Sequence, residues 1–190
     1  MTITRTRLFL SLGLATVGAL VWASGASAKT LGSLAPPGPG GCVSCDMFQT
    51  KTAVGEPKYR VPKGPTGLWT ITSWSAQGSP VDGAARLSVY RRTATNGQFE
   101  LVKQSALETV PANQHPSFTT SVDVKKGDLL GIFTSHDVSA GYNTSFTDDV
   151  NQILTCNPTG VGQLVGTGSS CPLAVSTGDL VNVDAQLSPR

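Results

Sequence analysis

Three stretches of this chain alternate apolar and polar residues one for one. Ala85, Leu87 and Val89 interleave with Arg86, Ser88 and Tyr90. Phe118, Thr120, Val122 and Val124 interleave with Ser117, Thr119, Ser121 and Asp123, and Val181, Val183, Ala185 and Leu187 with Asn182, Asp184 and Gln186. Successive strand side chains point to opposite faces, so a period of two gives one face to a core and the other to water. A helix instead needs apolar residues every three to four positions. Beyond the first 28 residues the best such window, 148–154, is at most about two turns long. The pattern predicts an all-β, two-sheet antiparallel sandwich built from roughly seven to nine short strands.

Turn chemistry punctuates these strands. Asn96-Gly97 supplies the positive φ values of a tight reversal and predicts a hairpin over 85–92 and 98–103. Lys125-Lys126-Gly127-Asp128 feeds a strand over 129–134, and Ser176-Thr177-Gly178-Asp179 feeds one over 180–187. Both turns share the pattern Val-x-x-Gly-Asp-Leu, starting at Val124 and Val175; the reading is two similar β-turns, with a duplicated binding loop as the alternative. The segment 67–75 is rich in aromatic and β-branched residues. Its Trp69 and Trp74 are an odd number of residues apart, which predicts opposite faces, one tryptophan in the core and the other free to meet solvent. The stretch 136–172 is polar and Gly-rich and reads as a long excursion with a short strand around 162–165.

The first 28 residues carry Arg5 and Arg7, an apolar run from Leu8 to Trp22, and Ala26-Ser27-Ala28. This is the three-part pattern of a cleavable secretory signal. The apolar run is too short for a spanning helix, which needs about 20 residues. Residues 29–41, with Pro36-Pro37-Gly38-Pro39-Gly40-Gly41, read as a linker, and 42–188 as a single sandwich domain. The chain has 14 Lys and Arg against 12 Asp and Glu. Without Arg5 and Arg7 the remainder is formally neutral, with no charge excess to attract nucleic acid. Arg91-Arg92 and Lys125-Lys126 read as isolated pairs on strand ends and turns. Cys42, Cys45, Cys156 and Cys171 are an even set in an exported chain, which favours two disulfides. Local pairing, Cys42 with Cys45 and Cys156 with Cys171, is preferred, and the crossed pairings stay open.

The order of motifs carries a resemblance. Cys42-x-x-Cys45 is followed by Phe48-Gln49, Tyr59-Arg60-Val61-Pro62 and Ile71-Thr72-Ser73-Trp74-Ser75. A long hairpin, then Val124 through Gly131, and a closing Val181-Asn182-Val183-Asp184-Ala185 complete the series. This resembles exported β-sandwich domains of high-GC Gram-positive bacteria. The resemblance implies a jelly-roll-like fold and a location outside the cell; it implies no activity and no catalytic residues.

Catalytic readings lack complete sets. His115 and His136 are the two histidines, and no Gly-x-Ser-x-Gly elbow accompanies them. Cys42-x-x-Cys45 follows a linker rather than opening a helix, so it reads as structural rather than redox-active. The spacing of the second cysteine pair disfavours zinc. Asp137, Asp148 and Asp149 form an acidic loop without a calcium-loop motif. Glu56, Glu100 and Glu108 show no sequence relation that would pair them across a cleft. The sequence therefore predicts a secreted, non-catalytic domain without cofactor or metal, its partner a polysaccharide or another cell-wall component rather than nucleic acid or membrane. Trp69, Trp74 and Tyr142 are the candidate ligand-binding residues, since an exposed aromatic ring can stack on a sugar. A structural surface or matrix component and a secreted hydrolase are the alternatives.

Overall fold

The computed structural model describes residues 27–35, 44–136, 141–143, 152–158, 160–169 and 174–190, and every regular element among them is a strand. The first eight, in chain order, are β1 (Lys29–Ser33), β2 (Cys45–Lys51), β3 (Leu68–Ala76), β4 (Gly83–Arg92), β5 (Gln98–Gln104), β6 (Glu108–Val110), β7 (Ser117–Lys125) and β8 (Leu129–His136). They are followed by β9 (Gly141–Asn143), β10 (Gln152–Cys156), β11 (Leu164–Gly166), β12 (Ala174–Thr177), β13 (Asp179–Val181) and β14 (Val183–Pro189).

Two antiparallel sheets form the sandwich. The smaller runs β1-β14-β3-β7 and the larger β11-β5-β4-β8-β2-β10-β12, with β6 beside the start of β4. A short ribbon pairs β13 with β9. From β2 to β3, β3 to β4, β6 to β7 and β7 to β8 the chain crosses between the two main sheets, which is what makes a sandwich rather than a meander.

The hairpin forms where Asn96-Gly97 predicts it, joining β4 to β5. The Lys125–Asp128 turn joins β7 to β8, with Gly127 at φ 93°, a conformation that a side chain with a Cβ resists. Several sequence expectations need correction. Lys29–Ser33, read as linker, is β1, docked in register on β14 from Lys29↔Leu187 to Ser33↔Val183. Residues 152–154, the end of the helical candidate, belong to β10, whose pairing with β2 and β12 outweighs a two-turn helical pattern. The short strand expected at 162–165 starts two residues later, at Leu164.

The main core lies between the sheets. Trp69, Ile71, Val122, Val124, Val183, Ala185 and Leu187 face Met47, Leu87, Val89, Leu130, Ile132 and Ile153. A second cluster, including Phe48, Tyr90, Phe99, Leu101, Leu129 and Leu154, occupies the other face of the large sheet. The pairs Met47/Phe48, Leu129/Leu130 and Ile153/Leu154 split between the two clusters as alternation requires. Phe48 stacks on Tyr90 with ring centroids 4.0 Å apart and meets Phe99 edge-on at 5.0 Å. The face of β4 expected to be wet is therefore covered: Ser88 and Tyr90 are buried.

Candidate functional site

Trp69 and Trp74 are both core residues, with 2% and 1% of their surface exposed, so neither can stack on a sugar. The odd separation misleads because Thr72 is a bulge. Ile71 pairs Leu187 while Ser73 pairs Gln186, leaving one extra residue in β3, so the alternation resets and both indoles point inward. Tyr142 lies on β9 opposite Leu180, and its side chain is outside the described residues.

A different surface gathers chemistry. The loop between β2 and β3 runs as Lys58-Tyr59-Arg60-Val61-Pro62-Lys63. Tyr59 and Val61 are buried, while Lys58, Arg60 and Lys63 are exposed. The loop is tied to the β7–β8 turn: Gly127 N donates to Val61 O at 2.9 Å, Val61 N to Asp128 O at 2.8 Å, and Leu130 N to Tyr59 O at 2.8 Å. The Tyr59 hydroxyl donates to Val181 O at 2.6 Å, and Trp69 Nε1 to Pro62 O at 3.1 Å. Lys125 and Lys126 stand exposed on the turn itself. Arg91 and Arg92 close β4 next to them, Arg92 lying over the Phe99 ring at 5.2 Å.

These elements enclose three adjoining concavities. One of about 480 Å³ is walled by Lys51, Lys58, Arg60, Lys63 and Lys126. A second, about 320 Å³, shares Arg60 and Lys126 with it and adds Arg91, Arg92 and Lys125. The third, about 650 Å³, shares Arg92 with the second and Lys51 with the first, and extends to Asn96 and Thr167. Eight cations thus border one basin. Among the described residues its one carboxylate is Asp128, 1% exposed and consumed by Arg91, whose guanidinium keeps its proton more firmly because of that hydrogen-bonded pair. The pairs Arg91-Arg92 and Lys125-Lys126, isolated in sequence, are neighbours here. The local signal for the loop was the alternation of Lys58, Arg60 and Lys63 with apolar residues, but nothing local brings that loop to β4 and β7.

A second polar group is buried in the large sheet. Asp46 on β2 is inaccessible to solvent, and burial pushes its carboxyl up to about 6, with Ser88, Arg86, Tyr90 and Gln104 in partial opposition. Gln104 donates to Asp46 Oδ2 at 3.3 Å, whereas Asp46 Oδ1, Arg86 Nε and Tyr90 Oη are buried without a hydrogen-bond partner. Burial, and then Asp46, raise the Tyr90 phenol.

The other sequence candidates are dispersed. His115 sits in the exposed loop after β6 with Nδ1 3.2 Å from Gln77 Oε1, an amide rather than a carboxylate. His136 closes β8 opposite Ala84, and its side chain is outside the described residues. Glu56, Glu100 and Glu108 lie on the β2–β3 loop, β5 and β6 respectively. Asp137, Asp148 and Asp149, the acidic loop, fall outside the described residues, as do Cys42 and Cys171. Cys45 and Cys156 are buried on the adjacent strands β2 and β10, and neither is a free thiol. No protein-family model, curated protein or solved structure matches this chain.

Proposed function

We propose that this is an exported, non-catalytic domain that binds a polysaccharide or another cell-exterior ligand in the basin between the β2–β3 loop, the β7–β8 turn and the end of β4. The observation that carries the reading is the convergence of eight cations from four separate segments on adjoining concavities whose one acid among the described residues is neutralised. The loops there are held by main-chain hydrogen bonds to the sandwich, so a ligand would meet a surface already in place. Export rests on the three-part signal over 1–28; that β1 opens at Lys29, one residue past the expected cleavage point, supports it. Two disulfides involving Cys42, Cys45, Cys156 and Cys171 belong to the same reading, as does the resemblance to exported sandwich domains. His115 facing an amide supports a role other than catalysis.

A glycan array probed with the full chain and with an Arg92→Ala/Lys126→Ala variant tests the site. Binding that the variant loses supports it; binding that the variant retains places the ligand elsewhere. An array without signal, together with self-association in sedimentation, would favour a structural surface component instead.

A further inference from the structure

We propose that the ligand is an anionic polysaccharide, read through its repeated carboxylate, sulfate or phosphate groups rather than through its sugar rings. This rests on the reading that the basin is the binding site, and it adds the chemical class.

Of the 14 Lys and Arg, Arg5 and Arg7 lie outside the described residues, leaving twelve, and eight of those border the basin. The chain without Arg5 and Arg7 carries twelve Lys and Arg against twelve Asp and Glu, so the clustering is a property of the fold and not of composition. Seven of the eight are exposed, and among the described residues only Arg91 is tied to a carboxylate. Like charges held in one concavity repel, and a chain of anions replacing scattered counterions relieves that repulsion.

The spacing suits a polymer. Lys58 and Arg60 point the same way from an extended segment and so sit about 7 Å apart along it. The basin then continues past Lys126 to Arg92 and Lys51, so a single small anion would use a fraction of it.

What the basin lacks narrows the class. Among the described residues its aromatic members, Tyr59 and Phe99, are each 2% exposed, so neither offers an open ring face. Neutral sugars and single-stranded nucleic acids are gripped largely by stacking on such faces. A ligand recognised by charge alone is what remains, and an acidic glycan is the exterior polymer of that kind.

The test is titration of the full chain with heparin, polygalacturonate, galacturonate monomer, neutral dextran, and single- and double-stranded DNA. It is repeated with Lys58→Glu/Arg60→Glu/Lys126→Glu and with the control Lys29→Glu/Lys103→Glu, each first checked for an unchanged melting curve. Both acidic polymers should bind, the monomer and dextran should not, and affinity should fall about tenfold or more between about 50 and 200 mM salt. The triple variant should lose about tenfold or more while the control stays within about twofold of the parent. Dextran binding that the triple variant abolishes would overturn the anionic class and keep the site. Polyanion binding that the triple variant leaves intact would overturn the site itself. DNA binding tighter than either glycan would replace the glycan with nucleic acid, and absence of all binding would overturn both readings.

Discussion

Arg91 and Asp128 form a two-pronged ion pair across the end of the large sheet, Nε to Oδ1 at 2.8 Å and Nη2 to Oδ2 at 2.9 Å. The same Oδ2 accepts from Lys125 N at 3.0 Å, so one buried carboxylate fixes a β4 arginine and the backbone of the β7–β8 turn together. Matched geometry of this kind adds directional specificity to the charge attraction. It also sets the basin's shape, because Arg92, Lys125 and Lys126 flank the pair.

Asp128→Asn keeps the size but removes the charge and one acceptor. Hydrogen bonds to charged groups contribute about 1.5–3 kcal/mol each, and Arg91 is partly solvated, so a total loss of about 2 kcal/mol is expected. In a chain of this size that lowers the melting temperature by about 4–8 °C. A melting curve superimposable on the parent's would show the pair to be energetically idle.

Asp46 predicts a pH dependence of stability. Its carboxyl stays protonated in the fold up to about 6, against an ordinary value of 3.8. Between those values the folded state holds the extra proton, so the stabilisation is complete below the lower value and is lost as pH rises through the upper one. The difference corresponds to about 3 kcal/mol by neutral pH. Asp46→Asn cannot ionise, so its stability should hold level where the parent's declines, and it should melt higher than the parent at pH 7. Chemical denaturation of both proteins from pH 4 to 8 reads this directly; parallel curves would exclude Asp46 as the source.

Trp69 and Trp74 separate by chemistry. Trp69 Nε1 donates to Pro62 O, whereas Trp74 Nε1 is buried without a partner. Trp69→Phe should therefore cost about 1 kcal/mol more than Trp74→Phe, the net worth of one hydrogen bond. Trp74→Ala, which empties the core beside Phe118, should cost about 3–5 kcal/mol. Fluorescence of both indoles should resist acrylamide quenching and ignore added glycan; strong quenching of either would contradict its burial.

Gly131 on β8 has no room for a side chain. A Cβ there would lie 2.6 Å from Met47 O and 2.7 Å from Phe48 Cβ, on the neighbouring strand of the same sheet. Both obstacles are on or next to backbone, so neither can swing away. Gly131→Ala should destabilise by about 3 kcal/mol, measured as a shift in the denaturation midpoint. A neutral result would mean that β2 and β8 are less closely paired than described.

What local chemistry could decide, the sequence decided. Alternation at β4, β7 and β14 and the turns at Asn96-Gly97 and Lys125–Asp128 specify strands and reversals, because side-chain direction and φ preference act over one or two residues. That is sufficient for the all-β class and the sandwich. Only the tertiary structure decided what depends on pairing between distant strands. Thr72 bulges because β14 opposes it, which turns Trp74 from a candidate sugar platform into core. Ser88 and Tyr90 are buried because a second apolar cluster lies on their face of the sheet, and Lys29–Ser33 becomes a strand because β14 offers it a ladder. The basin follows the same rule: Arg60, Arg92 and Lys126 are far apart along the chain, and a neutral composition conceals them until strand order places the ends of β2, β4 and β7 side by side.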